Sequence, residues 1–354
     1  MTPFLRRLPL LLVFALTAVL PARLAADLVW SHESGWRIEG GALAGQSGEE
    51  GRNALDFMNK ARRAEESSNN HQAINLYQKV AKKYPNSVYA PEALYRAGLL
   101  HQRRRELFKA FDDYQNILQR YPNTERFSQI IGEQYRIATE LSEGKRNYFW
   151  GVIPSLTNRE KGVEYFERIV GNAPYSDYAP LSLMNVARGY HRQGSTEGAI
   201  DALDRMINNY PRSVLTPDAY LKIAQTHASL VEGPYYDQSS TKESITYYED
   251  YMILFPGDPN VGIAEKGLSD MKKTLAESKM TIGDYYYKYR KNYTAAKVLY
   301  NEAITVYPDS TVAARARAQL VKVEAKLSAA KPAATTQAPP GPPAPKKKKH
   351  FFFF

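Results

Sequence analysis

Apolar residues in this chain recur at helical spacing in paired stretches, and every second stretch stops at a proline. Ala73, Tyr77 and Val80 share one face ahead of Pro85, and Ala110, Tyr114 and Ile117 repeat the spacing ahead of Pro122. Ala199, Leu203 and Met206 do so again ahead of Pro211. Steps of three and four residues predict amphipathic helices. A proline cannot continue a helix and forces the residue before it out of the helical region. The stop is an aromatic-proline step at Tyr84-Pro85, Tyr121-Pro122, Tyr210-Pro211, Phe255-Pro256 and Tyr307-Pro308, with Ala173-Pro174 as a sixth. Pro85 and Pro122, and again Pro174 and Pro211, lie 37 residues apart. A period in this range predicts a solenoid, in which each unit buries its apolar face against its neighbours.

Each unit reads as two antiparallel helices, A and B. Around Ala199, Ala187 and Tyr190 lie on helix A, Gly194 makes the turn, and helix B runs to Pro211. A second proline after several steps (Pro91, Pro180, Pro217) suits the first turn of the next helix A. This spacing of small residues, glycine and proline resembles the tetratricopeptide repeat. The expected fold is therefore an all-α, tetratricopeptide-like solenoid of about six hairpins at 53–87, 91–124, 127–176, 179–213, 216–257 and 262–309. Residues 312–328 would be a capping helix. The third unit carries an insertion near Gly144 to Asn158, and the fifth a shorter one from Glu232 to Thr241. The sixth begins with a long helix from Ile263 to about Tyr289. The domain layout is a leader at 1–26, an irregular segment at 27–50, the solenoid at 51–330 and a separate tail at 331–354.

Charge and composition narrow the function. Arg6 and Arg7, then the 13 residues Leu8 to Leu20, then Leu-Ala-Ala before Asp27 read as a secretory leader. Thirteen residues are too few to span roughly 30 Å of hydrocarbon. Export is the expectation. There is no cysteine, which excludes disulfides, thiolate chemistry, cysteine-ligated metal and a cysteine-linked lipoprotein anchor. The 354 residues carry +10, yet eight of the 47 Lys and Arg fall in the leader and tail, and the 39 that remain face 37 acidic residues. A nearly neutral body argues against a nucleic-acid groove. The tail is Ala/Pro/Thr-rich and ends in Lys346, Lys347, Lys348, Lys349, His350, Phe351, Phe352, Phe353 and Phe354. It is either a solvated end or a tether to a membrane surface.

No catalytic, cofactor or metal site is expected. The six histidines lack metal-ligand spacing, and no phosphate loop, nucleophile elbow or zinc helix occurs. His101 and His227 fall at the contact of helices A and B and read as packed, hydrogen-bonded side chains. A repeat scaffold instead offers the surface of its A helices. The register places Leu55, Met58, Arg62, Tyr95, Leu99, Arg103, Arg136, Met184, Arg188 and Arg192 there. Aromatic and aliphatic positions flanked by arginine suit an extended peptide with a carboxylate. Tyr148, Phe149 and Trp150 in the first insertion either fold back on the solenoid or dock a partner.

The segment Tyr286-Tyr287-Lys288-Tyr289-Arg290-Lys291-Asn292-Tyr293-Thr294-Ala295-Ala296, the run Leu268 to Ala276 before it, and the Tyr-Pro-x-Ser steps resemble the outer-membrane assembly family BamD, also called ComL or YfiO. Lys291 stands where that family has glycine, and the cysteine that carries the family's lipid is missing. The resemblance implies a non-enzymatic scaffold of the β-barrel assembly machinery at the periplasmic face of the outer membrane. It also implies that the groove takes unfolded barrel clients, and that the end near Tyr286, Tyr287 and Arg290 docks on the periplasmic domains of a BamA-type barrel subunit. A general periplasmic adaptor for envelope or division proteins is the alternative.

Overall fold

A computed structural model describes residues 27–39 and 48–330. The leader 1–26 and the tail 331–354, with Lys346 to Lys349 and Phe351 to Phe354, lie outside the described residues, as do 40–47. The fold class matches the repeat: thirteen α-helices among the described residues, with only two small β-hairpins. The helices gather into two compact units, one reaching to Ser182 and one starting at Leu183.

The first unit opens with β1 (Asp27–Ser31) and β2 (Gly35–Glu39), an antiparallel pair with Trp30 opposite Trp36. Of the segment expected to be irregular at 27–50, residues 27–39 form this hairpin. The alternation of Leu28 and Trp30 is real, but five residues per strand are too few for a period of two to stand out. Trp36 is buried beside Ala54, Met58 and Ala61, and its backbone N–H donates to Asn59 Oδ1 at 2.8 Å.

Three hairpins follow: α1 (Glu49–Glu66) with α2 (Asn70–Lys83), α3 (Ala90–Arg103) with α4 (Leu107–Arg120), and α5 (Phe127–Ser142) with α6 (Arg159–Asn172). Small residues let the helices cross closely. A Cβ on Gly98 would stand 2.6 Å from the Tyr114 ring, and one on Gly162 2.7 Å from the backbone of α5. Tyr77 and Tyr114 are fully buried in their B helices, and their hydroxyls donate to Glu65 (3.0 Å) and Gln102 (2.8 Å) near the end of the preceding A helix. Burial, and then the Glu65 carboxylate, push the Tyr77 phenol far above its ordinary range, so it remains a donor. Between α5 and α6 the insertion forms β3 (Tyr148–Phe149) and β4 (Ile153–Pro154).

The proline steps behave alike in both units. The residue two after proline donates its N–H back to the carbonyl before proline: Ser87 to Tyr84, Thr124 to Tyr121, Ser176 to Ala173, Ser213 to Tyr210, Asp258 to Phe255 and Ser310 to Tyr307, at 3.0–3.3 Å. Each is a turn with proline at its second position.

The second unit begins within α7 (Tyr178–Arg192) and continues through α8 (Thr196–Asn209), α9 (Thr216–Ser229), α10 (Ser239–Leu254), α11 (Val261–Tyr285), α12 (Tyr293–Val306) and α13 (Thr311–Ala330). The long α11 ends in a π-helical turn, Tyr286–Arg290. The capping helix α13 buries Val312, Ala316 and Val323 against Ala296, Tyr300 and Ala303 of α12. Among the described residues no helix is long and apolar enough to cross a membrane.

Candidate functional site

In the first unit the A helices α1, α3 and α5 present the expected arginines on one connected face. Arg62 lies over the Trp30 ring at 4.1 Å and pairs with Glu65 and Glu66, both at 3.2 Å. Arg103 of α3 reaches Glu65 of α1 at 3.4 Å. Gln102 donates to Glu133 of α5 at 3.1 Å, and Arg136 pairs with Glu133 while donating to Gln102 at 3.2 Å. Arg103 and Arg136 keep more than half of their side chains exposed in these pairs, whereas Glu65 is nearly buried. An ion pair open to solvent contributes about 0–1 kcal/mol, so an exposed guanidinium can turn to a ligand carboxylate at little cost. Leu55 and Leu99 are half-buried beneath this face.

Met58 and Tyr95 do not belong to that surface. Met58 is fully enclosed in the first core with Ala54, Ala61 and Tyr77, and Tyr95 is buried against Tyr114 with the Arg126 guanidinium 4.9 Å above its ring. Both positions lie on the side of helix A that meets its own helix B, where apolar identity serves packing.

The second unit holds a cavity of about 280 Å³ between α7, α8 and α9. Met184, Ala187, Ala199 and Leu203 form its floor, Arg188 and Lys222 with the His191 ring its basic side, and Gln225, Thr226 and Ser229 the rest. Met184 and Arg188 were expected at a binding surface; Lys222 and the α9 polar residues were not. Arg192 is exposed on α7 and does not line the cavity. The origin of the space is readable in the repeat. Tyr77, Tyr114 and Tyr300 each stand 16 or 17 residues after a small residue of helix A (Ala61, Gly98, Gly283) and are fully buried. In the fourth hairpin that place, 16 residues after Ala187, holds Leu203. Leucine lacks the ring and hydroxyl, and the volume left over opens beside Arg188 and Lys222. An apolar floor beside three basic groups with no carboxylate in the lining suits an aliphatic or aromatic side chain next to an acidic group.

Of the residues expected to dock a partner, the 148–150 cluster partly folds back. The Tyr148 N–H donates to the Arg105 carbonyl at 2.8 Å, the Phe108 N–H to Asn147 Oδ1 at 3.1 Å, and the Arg104 guanidinium to the Trp150 carbonyl. Phe149 and Trp150 nevertheless stay exposed. At the other end Tyr286 and Tyr287 pack partly on the last core. The rings that stand out there are Tyr285 and Tyr289, 5.8 Å apart, with Arg290 beside them. Tyr285 closes α11 and Tyr289 lies in the π turn, which no local pattern announces.

The histidines diverge. His101 is buried with Nδ1 2.7 Å from Asp113 and Nε2 3.5 Å from Glu106, as a packed histidine should be. His227 stacks on Tyr247 at 5.6 Å, but its Nδ1 has no hydrogen-bond partner. Among the described residues no group of three His, Asp or Glu could hold a metal ion.

Comparison with known proteins follows the same outline. A family model described as YfiO, outer membrane lipoprotein, matches residues 156–338, and a tetratricopeptide-repeat model matches 61–87 and 92–124. The outer membrane protein assembly factor BamD of Rickettsia prowazekii (strain Madrid E) is 27% identical over 163 residues, 46% of this chain and 64% of that protein. The factor of the same name from Caulobacter vibrioides (strain ATCC 19089 / CIP 103742 / CB 15) is 23% identical over 131 residues, 37% of this chain and 43% of its own length. The chain thus spans less than two-thirds of each of these relatives. Among solved structures, a tetratricopeptide repeat protein from Parabacteroides merdae ATCC 43184 gives a TM-score of 0.31 at 14% identity, covering 77% of this chain and 99% of that one. The tetratricopeptide domain of P58(IPK) gives 0.32 at 12% identity, covering 77% and 79%.

Proposed function

Because the chain belongs to the YfiO family of outer membrane lipoproteins, we propose that it is a non-catalytic scaffold in the assembly of outer-membrane β-barrel proteins, working at the periplasmic face. The relatives named as assembly factors support that role. The observation that carries the mechanism is the α7–α9 cavity, with its apolar floor and its Arg188, His191 and Lys222 side. An unfolded barrel segment alternates apolar and polar residues, so it can place one apolar side chain in the cavity while a neighbouring carboxylate meets a guanidinium. The ion-paired face of Arg62, Arg103 and Arg136 offers the first unit's contacts to the same kind of chain. The α11–α12 end, with Tyr285, Tyr289 and Arg290 exposed, docks the periplasmic domains of a BamA-type barrel subunit.

Leu203→Tyr tests the client reading directly. It restores the residue type found at Tyr77, Tyr114 and Tyr300, so the fold should survive while the cavity fills. Binding of fluorescent peptides from unfolded barrel strands should weaken on the order of tenfold, because a buried apolar side chain is worth about 1.5–3 kcal/mol. Unchanged affinity with an unchanged melting temperature would remove the cavity from the mechanism. Depleting the protein separates the broader readings: loss of barrel proteins from the outer membrane supports assembly, whereas intact barrels with a division or envelope defect would favour a general periplasmic adaptor.

A further inference from the structure

The β3–β4 hairpin exposes apolar side chains that neither the groove nor the docking end uses. Phe149, Trp150, Val152, Ile153 and Leu156 are 49, 68, 75, 53 and 88% exposed, all within eight residues. The hairpin is not a loose loop. The Arg105 carbonyl, the Arg104 guanidinium and Asn147 tie it to the α3–α4 turn. Its tip holds Trp150 at φ 51° and Gly151 at φ 74°. A tryptophan in the left-handed region is strained, and such strain gathers at places that bind something.

A cationic hollow of about 570 Å³ lies at the base of the hairpin. Arg103, Arg105, Lys145 and Arg146 line it together with Tyr148, against a single carboxylate, Glu140. Arg105 lies over the Tyr148 ring at 5.4 Å and donates to its hydroxyl at 3.3 Å. Among the described residues Arg146 has no carboxylate within ion-pair distance. Tyr148 is in the wall of this hollow, and the tip begins two residues later, about 7 Å along the strand.

We propose that this hairpin is a membrane-contacting element, its aromatic and aliphatic tip entering the interface of an anionic bilayer while Arg103, Arg105, Lys145 and Arg146 meet lipid phosphates. Aromatic residues settle at the headgroup level, and an apolar face sinks roughly 5–10 Å into it. Each basic residue near an anionic surface strengthens binding about fivefold. The charge of the hollow selects an anionic surface, and the size of the tip selects a bilayer over a protein. Strands of two residues offer a few hundred Å² at most, below the ~800 Å² per partner of a stable protein interface. A bilayer requires no matching shape.

Trp150 reports the event itself. Of the three tryptophans, Trp36 is buried and Trp30 lies beneath Arg62, so a change in a water-exposed emission belongs to Trp150. Full-length protein is mixed with vesicles of phosphatidylcholine alone or of phosphatidylcholine with phosphatidylglycerol, with brominated acyl chains as quenchers. The expected result is a blue shift and quenching on the anionic vesicles only. Trp150→Phe should lose that signal yet still sediment with them. Lys145→Glu with Arg146→Glu should weaken partitioning by at least about twentyfold, and Phe149→Ser with Ile153→Ser should weaken it too, with melting curves confirming the fold. Sedimentation with no change in Trp150 emission would assign membrane contact to the Lys346 to Phe354 tail and overturn the proposal. So would no binding, or equal binding to neutral vesicles; a protein-docking hairpin would give one of these results. Wild-type emission decides the matter even if a variant fails to fold.

Discussion

A half-buried histidine ties the stability of the second unit to pH. His227 sits against the flat face of Tyr247, and its Nδ1 finds no partner. Burial lowers its pKa below the ordinary 6.5, against the opposing pull of Glu243 and Asp204. The unfolded chain therefore takes up the proton more readily than the folded one. Stability from the neutral ring is complete above pH 6.5 and declines as the pH falls from there through the folded pKa, by at most about 1.4 kcal/mol per pH unit. Denaturant midpoints measured across that range should drop for the wild type, and His227→Phe should flatten the drop while keeping the stack on Tyr247. A parallel decline in the variant would place the effect elsewhere. Its position at a helix A–B contact was legible from the register. The missing partner was not, because a hydrogen bond depends on what the neighbouring hairpin brings, and no local pattern encodes that.

At the scale of elements, the turns between helices A and B show how one fold tolerates several residues at a strained position. The second residue after helix A is left-handed at Ser68 (φ 60°), Arg105 (59°) and Gly194 (76°), and so is Lys291 (49°), which follows the π turn. The next N–H then closes on a carbonyl five residues back: Asn69 to Ala64, Glu106 to His101, and Ser195 to Tyr190. At the sixth hairpin Asn292 reaches six residues back to Tyr286, and the π turn absorbs the additional residue. Glycine fits the left-handed region without strain, whereas a side chain there costs about 1–2 kcal/mol, partly offset by glycine's greater entropy when unfolded. Lys291→Gly should therefore raise stability by up to about 1 kcal/mol, read as a higher denaturant midpoint at unchanged slope. A lower midpoint would mean that the lysine side chain holds the turn through a contact. Gly194 made this turn readable in one hairpin. Ser68, Arg105 and Lys291 hid it in the others, since nothing in their side chains announces a positive φ. The proline steps were legible throughout because proline enforces its geometry chemically. The two β-hairpins were missed because strands of two to five residues carry too little periodicity to compete with the helices around them.

For the molecule as a whole, the proposed function gives holding a client and docking on the barrel subunit to separate elements. The cavity comes from α7, α8 and α9, where Leu203 stands in a tyrosine's place; the docking end comes from the α11–α12 turn. The register put Met184 and Arg188 on the surface of helix A, and both line the cavity, because hairpin register fixes which side of helix A faces outward. For the second, family resemblance pointed to Tyr286 and Tyr287, whereas the exposed rings are Tyr285 and Tyr289. Separation of the tasks has a measurable consequence. Tyr285→Ser with Tyr289→Ser removes two exposed rings, and both positions lie outside the buried core, so the fold should hold. Truncating central aromatics at an interface costs roughly 2 kcal/mol or more in total. Capture by a BamA-type subunit should fall at least about thirtyfold in this variant while binding of unfolded barrel peptides stays at the wild-type level. Leu203→Tyr should show the reverse. If both variants lost both activities together, client and subunit would be competing for one surface, and the division of labour between the cavity and the α11–α12 turn would have to be abandoned.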